Sequence, residues 1–367
     1  MNLLVTGGAG YIGSVVAGEL VRTGHQVTVY DNLSHGHRLA VPPRASLVEG
    51  DLADQDRLNH VFRTMEPDAV LHFAALIEAG ESMKVPERFF RNNAATTLTL
   101  LETMLKNRVK KLVFSSTAAL YGNPAETPIA ETAGLRPTNA YGESKLMAEQ
   151  MLLWFRRIHG LRYASLRYFN AAGATPERGE DHSPESHLIP LVLQVAMGKR
   201  EKISIYGTDY PTPDGTCVRD YVHVLDLASA HLLALKALNQ SDQLIYNLGN
   251  GSGFSVREVI EVARRITHQP IPAVEVDRRS GDPAILVSSS QKIHDELGWI
   301  PQYPSLETIV RSAWAWRREH PSGYGGLHNI CCDSDPRATD RRSEYASDGF
   351  RSIRVVGQGF DATMDKR

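Results

Sequence analysis

Tyr141 and Lys145 stand four residues apart in Tyr141-Gly142-Glu143-Ser144-Lys145. On a helix that spacing puts both side chains on one face. A free tyrosine has a pKa of about 10 and is a weak base at neutral pH. Lowering it by about three units takes about 4 kcal/mol in favour of the phenolate. One cation ~5 Å away, at an effective dielectric of about 20, supplies roughly 3 kcal/mol. Lys145 together with an oxidised nicotinamide, itself positive, is therefore expected to make Tyr141 a general base. Ser115-Ser116-Thr117 closes an apolar run upstream. Thr117 is expected to pass or orient a proton between a substrate hydroxyl and Tyr141.

A second segment points to a dinucleotide. Thr6-Gly7-Gly8-Ala9-Gly10-Tyr11-Ile12-Gly13 follows a short apolar run and opens a helical pattern. It satisfies both G-x-G-x-x-G and G-x-x-G-x-x-G. Residues without Cβ permit the tight turn and a close backbone approach to a pyrophosphate, which the helix N-terminus then holds. Asp31 ends the next apolar run, about 20 residues on. Its carboxylate suits both ribose hydroxyls and would repel a 2′-phosphate, so NAD is expected over NADP. Asp51, in Gly50-Asp51-Leu52, is placed to accept from the adenine amino group. Phe73, Ala74 and Ala75 end a further run, where small residues let a cofactor lie against the backbone.

These groups need a scaffold that brings strand ends together. Apolar runs at 3–6, 26–30, 46–49, 69–73, 111–115 and 163–167 read as buried strands. Helical patterns at 14–22, 55–65, 92–106 and 141–159 lie between them. The alternation predicts an α/β fold: a Rossmann-type doubly wound parallel sheet with a smaller C-terminal substrate lobe. Its ligand crevice lies at the carboxyl ends of the strands. The expected division is an NAD-binding domain over 1–170 and a sugar-nucleotide-binding domain over 171–324. Helices are expected in the second part at 188–197, 224–238, 255–267 and 305–320. Residues 325–367 are polar and aperiodic and read as a disordered tail.

The composition narrows the function class. The 367 residues carry a net charge of −2 with 42% hydrophobic residues, so neither nucleic acid nor an anionic membrane is an expected partner. No apolar stretch approaches the roughly 20 residues that span a bilayer. The first strand begins almost at Met1, so no secretory leader is expected. Cys217, Cys331 and Cys332 show no metal-ligand spacing and no disulfide framework. They suit a reducing cytoplasm, and no metal is expected.

The segments already named, with 32–34, 79–82, 167–170, 209–212, 214–216, 218–221, 246–249 and 281–282, resemble the extended short-chain dehydrogenase/reductase family. Within it the match is to the 4-epimerases of UDP-glucose and UDP-galactose, and it covers about residues 1–324. The resemblance implies an NAD-dependent isomerase that interconverts UDP-galactose and UDP-glucose in galactose metabolism. It also implies a homodimer and a cytoplasmic location. Tyr141 would take the proton of the sugar C4 hydroxyl while hydride moves to NAD. The 4-keto sugar would then turn and be reduced on its other face. The sugar must be held loosely enough to turn, so affinity is expected to rest on UDP.

By the same resemblance Asn32, Asn92, Ser115 and Tyr168 join the glycine loop at the cofactor. Asn170 and Arg219 are implied at the UDP phosphates, Arg279 at phosphate, and Asp282 at the uridine ribose. Leu188 and Tyr206 are implied at the substrate. Four positions depart from the family pattern. Ile77 stands in place of a lysine, Thr117 of a serine, His187 of an asparagine, and Leu286 of a bulky aromatic. The last leaves room for N-acetylated sugars. A nucleotide-sugar 4,6-dehydratase or a decarboxylating relative would need an acidic residue just after Thr117, where Ala118 and Ala119 stand. A redox-sensing NAD-binding protein would not need both Tyr141 and Lys145.

Overall fold

The structure is a computed structural model and describes residues 1–279 and 282–325. The expected tail beyond Gly325, with Cys331 and Cys332, and Gly281 of the second-half motif lie outside the described residues.

The chain opens with β1 (Asn2–Thr6), α1 (Tyr11–Arg22), β2 (Gln26–Asp31), β3 (Ser46–Glu49), α2 (Gln55–Met65) and β4 (Ala69–His72). Two single turns follow, α3 (Ala79–Ser82) and α4 (Pro86–Phe89). They lead into a π-helical stretch, Phe90–Ala95, and α5 (Thr96–Lys106). Next come β5 (Lys111–Thr117), α6 (Ala140–His159) and β6 (Arg162–Tyr168). The second half comprises β7 (Asn170–Ala172), α7 (Leu188–Ala196), β8 (Ile203–Tyr206), β9 (Val218–His223), α8 (Val224–Ala237) and β10 (Gln243–Leu248). It ends with β11 (Gly253–Ser255), α9 (Val256–Thr267), β12 (Ala273–Val276), β13 (Ile285–Leu286), α10 (Gln291–Leu297) and α11 (Leu306–Glu319).

Seven strands form one sheet in the order β10-β6-β5-β4-β1-β2-β3. Every pairing in it is parallel. A strand covered on both faces is apolar throughout rather than alternating, and Leu3, Leu4 and Val5 of β1 are all fully buried. One face packs Val16, Ala17 and Leu20 of α1 against Leu227, Ala230 and Ala234 of α8. The other face packs Leu58 and Phe62 of α2, Leu100 and Met104 of α5, and Ala148 and Leu152 of α6. This is the doubly wound α/β fold expected. The strand order reverses between β1 and β4, which opens the crevice beside the carboxyl end of β1.

Two features differ from the expectation. Residues 92–106 are not one α-helix; their first turn is π-helical. Such a wide turn re-aims side chains, and it carries Asn92 and Asn93. The division near residue 170 is not clean either, because β10 and α8 return to the first sheet and its covering layer. The run 243–248 is short, apolar and at the sheet edge, so no periodicity marks it. The rest of the second half has its own core, built from Val192 and Leu193 of α7, Val259 and Ile260 of α9, and Ile309 and Val310 of α11.

Candidate active site

The glycine loop turns at Gly7, whose φ is +71°. A Cβ there would lie 2.4 Å from the Ala74 amide nitrogen, so only glycine lets β1 and the end of β4 approach this closely. A Cβ on Gly13 would lie 2.2 Å from the Gly7 carbonyl oxygen. Helix α1 starts at Tyr11 behind Gly10, with no side-chain cap and no acidic residue in its first turn. Its first amides have no intrahelical acceptor and present N–H groups and a partial positive charge to the cleft. That arrangement fits a pyrophosphate.

Asp31 works on the loop itself. Its carboxylate accepts from the Ala9 amide at 2.9 Å and the Leu33 amide at 2.9 Å. Burial pushes its pKa up, and those two amides pull the other way. Each oxygen keeps a free lone pair, so the same carboxylate can take ribose hydroxyls. Asn32 donates to Asp51 at 2.8 Å, which ties the ends of β2 and β3 together on one rim.

At the other end of the cleft Tyr141 and Lys145 lie in the first turns of α6. Asn139 caps that helix by accepting from the Gly142 amide at 2.8 Å. Lys145 Nζ donates to the Ser115 carbonyl at 2.8 Å and sits 4.8 Å from the centre of the Phe114 ring. Burial draws its pKa down to about 7, with Glu149 pulling upward. The Tyr141 phenol is pushed above its ordinary value by burial, a hydrogen bond with Thr117 acts downward, and Glu78 acts upward. The expected lowering of Tyr141 rests on Lys145 together with the charge of an oxidised nicotinamide; the chain's own groups by themselves leave the phenol above its ordinary value.

Gly7, Gly10, Tyr11, Ile12, Gly13, Asp31, Asn32, Asp51, Leu52, Phe73, Ala74, Ala75, Asn92, Ser115, Tyr141, Lys145 and Tyr168 all line one cleft. Thr117, Asn170, Ile77 and His187 line it too. The Tyr168 hydroxyl is buried there without a hydrogen-bond partner of good geometry. Burial pushes its pKa up, and Ser115 lies close enough to act downward. An unsatisfied buried hydroxyl beside the tyrosine–lysine pair fits a ligand with polar atoms at that spot.

Leu188, Tyr206, Arg219, Arg279 and Asp282 do not line this cleft. Arg219 donates to Asp282 at 2.5 Å, and the Arg279 guanidinium lies 3.9 Å from the centre of the Tyr206 ring. The four thus meet as two pairs in the second half of the chain. Asn170 bridges the regions, donating to the Asp220 carbonyl at 2.9 Å. Leu286 pairs in register with Arg219 on the neighbouring strand.

Several residues around the cleft escape sequence reasoning. Asn93 accepts from the Leu76 amide at 2.8 Å, donates to the Leu76 carbonyl at 2.9 Å, and donates to Ser144 Oγ at 3.0 Å. It clamps the π-turn, the β4 exit and α6 together. Glu149 holds Arg167 in a bidentate pair at 3.0 and 2.6 Å and also accepts from Ser116 and Ser165. Burial works against the Arg167 charge, but the bonds to Glu149 outweigh it and hold its pKa above the ordinary arginine value. Glu180, His182, Glu185 and His187 converge in the loop before α7. Their spacing, E-x-H-x-x-E-x-H, was the available signal.

Known proteins are similar to this chain over most of its length. Residues 3–249 match the NAD dependent epimerase/dehydratase family. A UDP-glucose 4-epimerase of Halalkalibacterium halodurans is 55% identical over 327 residues, which cover 88% of this chain and 98% of that protein. A crystal structure of a UDP-glucose 4-epimerase aligns with TM-score 0.87 at 51% identity, covering 88% of this chain and 99% of that one. That of Bifidobacterium longum UDP-glucose 4-epimerase, in complex with NAD+ and UDP, aligns with TM-score 0.84 at 37% identity over 88% of this chain and all of that one (100%). With a matched segment that spans the glycine loop, Thr117, Tyr141 and Lys145, the chain belongs to the NAD dependent epimerase/dehydratase family.

Proposed function

We propose that this protein interconverts UDP-galactose and UDP-glucose by inverting C4 of the sugar, with NAD held in the cleft. One observation carries the reading. Tyr141, Lys145 and Thr117 share a cleft with the glycine loop and Asp31, and no acid follows Thr117 in the buried turn at Ala118. An oxidation at C4 needs a base and a hydride acceptor; elimination of water would need a further acid. Relatives that carry the same name across nearly their full length support the substrate.

When bound, NAD supplies the reversible hydride acceptor through which C4 is oxidised and then reduced on its opposite face. The first amides of α1 and the carboxylate of Asp31 would hold its pyrophosphate and adenosine ribose. Tyr141 takes the C4 hydroxyl proton, with Thr117 relaying it, and returns it after the sugar has turned. Lys145, fixed on the Ser115 carbonyl, orients the cofactor side of the site. In this reading residues 1–170 carry most of the cofactor contacts. Asn170 in the cleft, with Leu188, Tyr206, Arg219, Arg279 and Asp282 of the second half, would hold UDP, and the hexose would be loosely held.

The reading extends to a cytoplasmic homodimer. Leu105, Met147, Trp154 and Ile158 are exposed apolar residues on α5 and α6, and a dimer would cover them. Among the described residues no helix is long and apolar enough to cross a membrane.

The test is to incubate the purified protein with UDP-galactose, without added cofactor, and assay for UDP-glucose. Conversion is expected, with NAD carried through purification. No conversion after NAD is added would overturn the proposal.

A further inference from the structure

Glu180, His182, Glu185 and His187 occupy the loop that links β7 to α7, and one ligand atom from each lies within 4.8 Å of every other. His187 Nδ1 is 2.7 Å from Glu180 Oε1 and 2.9 Å from Glu185 Oε1. His182 Nδ1 is 3.2 Å from Glu180 Oε1. A tetrahedral ion with bonds of about 2.0–2.1 Å needs its donor atoms roughly 3.3 Å apart. Three donor pairs lie at 2.7–3.2 Å, and all four donors lie within 4.8 Å of one another.

One buried donor atom of the cluster is left unsatisfied. One His187 Nδ1–H faces two carboxylate oxygens. The Glu185 side chain is only 3% exposed, and its Oε2 is buried with no hydrogen-bond partner. As metal donors both imidazoles must be neutral; the two carboxylates then carry about −2, which one dication would neutralise.

We propose that these four side chains form a closed four-coordinate site for a divalent cation of the zinc class. Imidazole nitrogens select against calcium and magnesium, which take oxygen ligands. Four protein ligands leave no open position, so the role is structural rather than catalytic. The site is well placed for such a role. The His182 ring meets Tyr11, the first residue of α1, edge to face at 6.4 Å, and His187 is the residue before α7. A bound ion would fix the 180–187 loop along the cleft between the glycine loop and α7. The site does not depend on which sugar the enzyme takes or on whether it is an epimerase.

The test uses the full chain with its NAD. The protein is stripped with dipicolinate, dialysed against zinc or cobalt(II), and its bound metal counted by mass spectrometry. One equivalent of zinc is expected, with a rise in thermal midpoint and an intense visible ligand-field spectrum for cobalt typical of four-coordinate nitrogen and oxygen donors. Glu185→Gln and His182→Gln are each expected to lose the ion and that spectrum, with circular dichroism reporting whether the fold is kept. The wild-type cobalt spectrum stands as a test even if a variant fails to fold. Absence of stoichiometric metal, a weak six-coordinate spectrum, or a cobalt–thiolate charge-transfer band would overturn the proposal. So would full retention of zinc in both folded variants.

Discussion

Lys145 donates its ammonium proton to the Ser115 carbonyl at 2.8 Å, across the gap between α6 and β5. The bond fixes the lysine one helical turn beyond Tyr141, and Thr117 meets the Tyr141 phenol from the end of the same strand. Proton transfer thus depends on the seating of α6 against β5. Tyr141→Phe removes the transferable proton and leaves the packing. A loss of about 10²–10⁴-fold in kcat is expected, the range for a positioned acid–base group. Bound NAD and thermal midpoint should stay near wild type. Activity within a few-fold of wild type would remove Tyr141 from the chemistry.

Glu149 seats α6 from behind. Its side chain and that of Arg167 are 7% and 4% exposed, so the pair is desolvated on both sides. Glu149→Gln leaves a buried guanidinium without its counter-charge, which costs about 3–5 kcal/mol. Urea unfolding should show that loss, and Lys145 should lose charge more readily because the pull of Glu149 on its pKa is gone. A change below about 1 kcal/mol, the range of a surface pair, would contradict the burial argument.

At Gly7 the backbone is left-handed and any Cβ meets the backbone of Ala74. Gly7→Ala is expected to push β1 and the β4 exit apart. Bound NAD should then be lost on gel filtration. Stability should fall by more than the roughly 1 kcal/mol that a glycine-to-alanine change gains where the backbone is compatible. Retention of a full complement of NAD would show that the loop tolerates the shift.

Three histidines set the acid limit. Burial lowers the pKa of His72 to about 3, and of His223 and His231 to about 4. A group whose folded pKa is depressed contributes stability above its unfolded value, about 6.5, and loses it as pH falls towards the folded value. Each such histidine should therefore cost about 1.4 kcal/mol per pH unit between roughly pH 6.5 and 4. His231→Leu, in a site packed by Phe73 and Tyr168, should flatten that slope by one proton. Denaturant titrations across this window check it, and an unchanged slope would show that burial does not depress the His231 pKa.

The amino-acid sequence alone determined the features that live within about twenty residues. The glycine loop is legible because the missing Cβ atoms and the helix start are contiguous. Tyr141 and Lys145 are legible because four residues make one helical turn. The buried parallel strands are legible as short apolar runs, because both of their faces are covered. Tertiary structure alone decided what depends on register between distant segments. It brought β10 beside β6, although 75 residues separate Tyr168 from Gln243. It also set the bond of Lys145 to Ser115, the pairing of Glu149 with Arg167, and the reach of Asn93 to Ser144. It gathered the Glu180–His187 donors, whose spacing is visible but whose convergence needs a folded loop. Such contacts leave no periodic mark in the chain, because a side chain's partner across a sheet is chosen by where two strands come to rest.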